Sequence, residues 1–447
     1  MKVNFVECDR DTPYLFPPSL QDWLPEGHLA RFVVDIVERL DLRSLKDSYS
    51  GHGSYAYSPV MLTSLLFYGY ATGVFSSRKL EQSTYDSVAF RYIAANTHPD
   101  HDTIASFRRR FLPQLEKLFV QILAIAQEMG VLKLGSVSLD GTKVKANASK
   151  HKALSYEYAL KLEEQLKAEV AELLKKAEAA DQTPIPDGMS IPEELTRREE
   201  RIKVIAEAKT EIERRAKERH AVEQEAYEKK VAERSKKEKP KGSPPKPPVP
   251  GPTSKDQVNL TDSESRIMPS KGAFEQAYNA QAVVDTASML VIAGHVSQNT
   301  NDKLELKPAL DSIAALPEEL GTIDTLIADS GYFSEGNVKN CEEEEIAPYI
   351  APGREGHNQP LMERFSEPLP LSDDADAVAR MKHRLKTVAG KAVYATRKST
   401  VEPVFGIIKS VMGFRSFLLR GFESVQGEWT LACIAWNLKR LHVLSKG

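Results

Sequence analysis

The 447-residue sequence has only three cysteines, Cys8, Cys341 and Cys433. They are far apart, odd in number and form no CxxC pair, which leaves neither a disulfide framework nor a zinc site indicated. A reduced, cytoplasmic chain is expected. No run of about 18 apolar residues occurs, so no membrane span is expected. The first residues, MKVNFVECDRD, lack the apolar stretch and small-residue cleavage site of a secretory signal. There is no GxxxxGK loop to cradle a nucleotide phosphate, so ATP hydrolysis is unsupported. Strong charge of one sign is also missing, the formal net charge being -3. Any nucleic-acid contact must therefore come from local basic patches.

What is present reads as two or three structural units, since this length exceeds one ordinary domain. Residues 1–130 read as an all-helical domain. In EGHLARFVVDIVERL, the residues Leu29, Phe32, Val33, Ile36, Val37 and Leu40 keep the spacing of a helix with one buried face. SPVMLTSLLFYGYATG predicts a second helix, with Ser58 as cap and Gly73 as stop. A third is expected from Asp102-Thr103 to Gly130. It carries Arg108, Arg109 and Arg110 in a row, which reads either as a solvated helix face or as a set of phosphate contacts.

The period then changes. Val137 and Leu139 alternate with Ser136 and Ser138 and lead to Asp140-Gly141-Thr142, the pattern of a short strand ending in a turn. Residues 151–240 hold 20 Lys+Arg and 21 Asp+Glu, dense in charge yet nearly neutral. Two narrow apolar stripes, Leu154 to Ala177 and Leu195 to Ala216, predict two long helices joined at TPIPDG as an antiparallel hairpin. Seven prolines between Pro240 and Pro252 then make a stiff linker. The segment 151–255 is therefore expected to be a helical insertion.

Beyond it, AYNAQAVVDT and SMLVIAGHV predict a β-hairpin turning near Thr286-Ala287. A helix follows at about 303–315. TLIADSG reads as a buried strand closed by Gly331, APYIA as another, and the remainder as helices. Strands alternating with helices indicate an α/β core formed by residues 131–150 and 256–447.

Three carboxylates stand where a metal site would want them. Asp140 and Asp329 each end a strand, the place where functional side chains gather in open α/β sheets. Glu402 lies on an expected helix. At about 100° per residue on that helix, Lys398 falls about 40° from Glu402, Lys409 about 20°, Tyr394 about 80° and Arg397 about 140°. Lys398 and Lys409 therefore share the Glu402 face, which suits a site that binds metal and grips phosphate together. The plainer reading is a surface Lys–Glu pair. Pro403 favours an extended residue at Glu402 unless a helix starts close by, and in that case Arg397 reaches the site instead. Asp-Gly-Thr also occurs in aspartyl-phosphate enzymes, but Ser138 stands where their nucleophilic aspartate would be. His98 and His101, with no further ligand nearby, read as a loop or helix-start feature. His295 sits at a strand end and is a weak catalytic candidate.

The segments SLDGTKVKANASK, SRIMPSKGAFEQAYNAQAVVD, IADSGYF and YATRKSTVEPVFGIIK resemble DDE transposases of bacterial insertion sequences, and TGVFSSRKLE and HDTIASFRRRF resemble that family's amino-terminal domain. The resemblance covers nearly the whole chain. It implies an RNase H-like mixed sheet with flanking helices and a catalytic and metal-holding triad of Asp140, Asp329 and Glu402. It also implies a Tyr-Arg-Glu-Lys type signature. Tyr394-x2-Arg397 and Glu402-x6-Lys409 fit that signature, but four residues rather than three separate Arg397 from Glu402. Lys398 has the three-residue spacing and is the expected phosphate-side cation. Lys398, Lys409, Arg397, Tyr394, Lys143, Arg108 and Arg109 are the expected DNA and phosphate contacts. Hard carboxylate ligands select two Mg²⁺ or Mn²⁺ ions, with Asp140 as their bridge. The implied activity is cleavage at element ends and strand transfer into target DNA. The expected partners are terminal inverted repeats, target DNA and a second copy of the chain when assembled on DNA. The alternative is a DNA-binding protein derived from a transposase that has lost catalysis.

Overall fold

The computed structural model describes residues 19–49, 56–178, 190–235, 243–270, 272–353, 366–372 and 374–446. The chain divides into two compact units. The first comprises residues 1–142, 279–418 and 423–447, and the second 143–278 with 419–422.

The first unit opens with eight helices. They are α1 (Leu20–Trp23), α2 (Leu29–Arg39), α3 (Arg43–Asp47), α4 (Pro59–Thr72), α5 (Ser77–Asp86), α6 (Val88–Ile93), α7 (His101–Phe111) and α8 (Leu115–Glu128). The apolar stripe of α2 faces inward, with Val33, Ile36 and Val37 buried. α4 is buried on every side from Leu62 to Ala71 and stops at Gly73, whose φ of 84° is the left-handed cap that glycine takes freely. Ser58 holds the cap position of α4 without a side-chain hydrogen bond; Pro59 opens the helix. The single helix expected from Asp102 to Gly130 is two, because Pro113 lacks the N–H that would continue it and turns Leu112–Gln114 into a 3₁₀ step.

The sheet is mixed. β1 (Ser136–Lys145), β7 (Thr325–Ala328) and β8 (Ala347–Ile350) lie side by side and parallel. β5 (Ala273–Asp285) flanks β1 on the other side, in the sheet order β5-β1-β7-β8. Thr286 N–H donates to Ser136 O at one end of that pair and Ala146 N–H to Gln276 O at the other, an antiparallel register that puts Gly141 opposite Gln281. β6 (Val291–Ser297) pairs antiparallel with β5 from Asn279 to Val284. The hairpin turn spans residues 286–290, close to where the sequence puts it.

Among the described residues β6 is followed by α11 (Leu306–Ala314), α12 (Glu335–Glu343), α13 (Ala377–Lys386) and α14 (Val388–Ala395). A 3₁₀ step at Thr396–Ser399 leads to α15 (Val401–Gly406), a π turn at Ile407–Val411, and finally α16 (Phe422–Leu444). α16 runs along the edge of β6. Asn437 caps the Val291 amide on both sides, accepting from its N–H and donating to its carbonyl. Trp429 Nε1 donates to Gln281 O and Trp436 Nε1 to Met289 O. These bonds satisfy backbone groups that an apolar helix would leave orphaned. The amino-terminal helices join this core through a buried chain in which Arg108 donates to Tyr70 Oη and Tyr70 donates to Glu428.

The second unit holds the charged segment. α9 (Tyr156–Glu178) and α10 (Ile191–Ser235) run antiparallel, as the descending pairs Tyr156–Glu213, Glu163–Lys209 and Glu169–Arg198 require. Leu166, Ile205 and Ile212 pack between them, and Leu154 and Val258, from the two-stranded pair β2 (Ala153–Ser155) and β3 (Gln257–Asn259), close one end. β4 (Arg266–Ser270) pairs with the first residues of β5. The joint expected at TPIPDG lies outside the described residues. Among the described residues no single helix is long and apolar enough to cross a membrane.

Candidate active site

β1 does not end at Asp140, as its sequence suggests; it runs on to Lys145. What ends there is its pairing with β7, whose last register pair is Leu139 with Ala328. Asp140 and Asp329 are the next residue on each strand. In-register residues of parallel neighbours point to the same face about 4.8 Å apart, so the two aspartates start from adjacent positions. Asp329 also caps the 3₁₀ turn at Ser330–Tyr332, its Oδ1 accepting from Gly331 N–H at 2.7 Å.

Glu402 comes from the first turn of α15. The continuous helix assumed for the wheel is absent. Thr400, with φ -116° and ψ -87°, breaks the chain between the 3₁₀ step and α15. Pro403 sits in the first turn of α15, where its missing N–H is harmless. This kink places the two neighbouring cations differently from the helical wheel. Lys398 is exposed. Arg397 turns inward, its guanidinium 2.7 Å from Glu402 Oε1 and 3.4 Å from Asp140 Oδ2. The expectation that Lys398 shares the Glu402 face is therefore corrected, and the reason is the failure of helical geometry at Thr400.

Lys409 does reach the site. Its ammonium donates to Thr142 Oγ1, two residues past Asp140. It does so from a π turn, a local widening that often marks functional positions. Tyr394 is half-buried near the end of α14, and Lys143 half-buried three residues past Asp140 on β1. Arg109 is exposed on α7, whereas Arg108 is buried, donating to Tyr70 Oη and Phe75 O. Arg108 is thus part of the buried chain to Glu428 and is not presented at the surface. His98 bonds Thr84 and stacks on Tyr85, and His101 pairs with Glu81, so both fasten α5 to the start of α7. His295 pairs with buried Glu305.

Burial pushes the Asp140 carboxyl up to about 6. A bond from Gly141 N–H opposes this, the charge of Asp329 adds to it, Arg397 opposes it and Asp302 adds to it. The Arg397 guanidinium lies between Asp140 and Glu402 and pairs with both. Oxygen donors of this kind suit a hard divalent ion. Among the described residues no group of three or more aspartate, glutamate, histidine or cysteine side chains is arranged to hold a metal ion.

Asp302, Asn279 and Gln281 were not singled out by the sequence. The available signal was a pair of amides two residues apart in an otherwise apolar buried strand.

Residues 247–438 match the Transposase DDE domain, and residues 18–110 match the Transposase domain (DUF772). Asp329 and Glu402 lie within the first of these stretches; Asp140 lies in neither. No curated protein and no solved structure matches the chain. A helical transposase domain followed by a DDE domain defines the class as transposase. The two matches together support a member of the DDE transposase family of insertion sequences. That family uses divalent metal ions.

Proposed function

We propose that this protein cuts DNA strands at the ends of its element and joins them to target DNA, with Asp140, Asp329 and Glu402 as the catalytic carboxylates. The observation that carries the reading is that Asp140 and Asp329 each follow the last register pair of two adjacent parallel strands, while one guanidinium, that of Arg397, pairs with both Asp140 and Glu402. The sheet order, with β6, β5 and β1 antiparallel and β7 and β8 parallel beyond β1, supports an RNase H-like core. The charged hairpin of residues 151–255 reads as an insertion into it, and residues 1–130 as the part that holds DNA.

Asp140, Asp329 and Glu402 would hold two Mg²⁺ or Mn²⁺ ions. Bound there, the ions would supply charge neutralisation for an attacking oxygen and a leaving oxygen in an in-line displacement at phosphorus. The nucleophile is water in cleavage and a DNA 3′-hydroxyl in joining, so no residue of the chain becomes covalently linked. Arg397 bridges Asp140 and Glu402 and orients them before DNA arrives, and would then turn its guanidinium to a phosphate oxygen. Lys409, fixed by Thr142, presents a second positive charge beside Asp140. Tyr394, Lys143, Lys398 and Arg109 would contact the DNA backbone rather than the reacting phosphate. The protein would act in the cytoplasm, on the terminal inverted repeats, as a dimer formed on DNA.

The test is strand cleavage of a duplex carrying the element's ends, with Mn²⁺ present. The unaltered chain is expected to nick it and Asp140→Asn is not. Binding without nicking by the unaltered chain would favour a DNA-binding protein that has lost catalysis.

A further inference from the structure

A fourth carboxylate stands at this site. Asp302 lies in the loop between β6 and α11, and its Oδ1 accepts two amide hydrogen bonds, from Asn279 Nδ2 at 2.7 Å and Gln281 Nε2 at 2.9 Å. Both amides are on β5 and are fully buried. The Gln281 amide is itself fixed, because Tyr332 Oη donates to its Oε1. The loop is held from beneath by Glu305, 1% exposed, which receives bonds from His295, Ser297 and Asn299. Asn337 Nδ2 adds a bond to Lys303 O. Asp302 is therefore a rigidly placed charge.

Two glycines show how close it comes to the catalytic aspartates. A Cβ on Gly141 would stand 2.8 Å from Asp302 Oδ1 and 2.2 Å from Gln281 Nε2, so only glycine fits next to Asp140. A Cβ on Gly331 would stand 2.9 Å from Asp329 Oδ1 and 3.7 Å from Asp302 Oδ2, so these two oxygens border one small space. A further observation points to an occupant. Asn279 must turn its Nδ2 to the Asp302 carboxylate, which leaves its Oδ1 buried with no hydrogen-bond partner among the described residues. A buried carbonyl oxygen without a donor is uncommon unless a water or ion completes it.

We propose that Asp302 is a positioning carboxylate of the catalytic centre. Asn279 and Gln281 hold one of its oxygens, and the other faces Asp329 and strengthens the hold of Asp140 and Asp329 on a divalent ion. The proposal rests on the assignment of those two aspartates as metal-holding. A charge aligned by buried amides behind a metal site typically sets affinity by roughly 10- to 100-fold.

The experiment measures Mn²⁺ binding to the full chain without DNA, by the electron paramagnetic resonance of the free ion, alongside thermal melting without metal. Asp302→Asn is expected to weaken Mn²⁺ binding roughly tenfold or more while the protein melts as a folded chain. Asp311→Asn, which removes an exposed carboxylate from α11, is expected to bind Mn²⁺ unchanged. Gln281→Met removes one amide from Asp302 and is expected to weaken binding in the same direction. Unchanged binding by a folded Asp302→Asn overturns the proposal. Should that variant fail to fold, Gln281→Met decides: weakened binding supports the proposal and unchanged binding overturns it. Asp140→Asn separates the two levels. If it too binds Mn²⁺ normally, the assignment of the catalytic aspartates fails. If it loses binding while Asp302→Asn keeps it, only the role of Asp302 fails.

Discussion

Asp140 and Asp329 each follow directly on the last register pair of two parallel strands, Leu139 with Ala328. Their closeness is built into the sheet backbone and does not depend on side-chain packing. Glu402 is different, because it stands on a short helix behind a kink and is linked to Asp140 through Arg397. Two members of the proposed triad thus stand at strand positions of the sheet and the third on a short helix.

The first expectation follows from that difference. Asp140→Ala, Asp329→Ala and Glu402→Ala should each abolish strand cleavage. All three should keep their DNA affinity and their circular-dichroism spectrum. Near-normal cleavage by any one of them would remove that residue from the site.

Asp140 also bears on stability. Its carboxyl is raised from 3.8 to about 6, chiefly by burial. Between those values the unfolded chain has released a proton that the folded chain still holds, so folding stability falls as pH rises through this window. Asp140→Asn should therefore stabilise the metal-free protein at pH 7, by about 1–3 kcal/mol. The gain should vanish below about pH 4, where the carboxyl is neutral in both states. Added Mn²⁺ should raise the melting temperature of the unaltered chain and not that of Asp140→Asn. Chemical denaturation at pH 4 and pH 7 checks both, and an Asn variant less stable at pH 7 contradicts the reading.

The two cations before Glu402 should behave unlike one another. Arg397→Ala removes bonds to both Asp140 and Glu402 and should slow single-turnover cleavage by about 10- to 100-fold, the equivalent of a charged hydrogen bond. Lys398→Ala should leave the rate within a factor of two or so and reduce the salt dependence of DNA binding by about one unit of slope. A slower Lys398→Ala would reverse the assignment.

A fourth expectation concerns the buried chain between the amino-terminal helices and α16. Tyr70 is fully buried and bridges Arg108 to Glu428. Tyr70→Phe leaves both charged partners short of a bond and should cost about 1–3 kcal/mol of stability. Urea denaturation measures it. A loss within error would mean that the two groups re-pair or take up water.

Much of this was legible in the sequence. Val137 with Leu139, the apolar run Leu326–Ala328 and the stripe of α2 each obey a local period, and local periods survive into the fold. The two antiparallel helices of the charged segment follow from the same kind of reading. The failures share a cause. Pro113 and Thr400 interrupt helices at single residues, and a wheel carried across such a break assigns every later side chain to the wrong face. Arg108 reads as surface because its triplet is charged, yet one of the three turns inward to a tyrosine 38 positions earlier. Asp302 was invisible for another reason. Its partners come from a different strand, and nothing in QNTNDKLEL shows which oxygens those amides will meet.

The four register pairs between β1 and β7 have a bearing on insertions and deletions. The intervening chain includes the entire charged hairpin, and lengthening a connection adds only the slow logarithm of loop entropy. The chain between α9 and α10 could therefore change length at little cost to the pairing of β1 with β7. A slip of one residue in β7 is another matter. It keeps every backbone hydrogen bond available but turns Asp329 to the opposite face of the sheet.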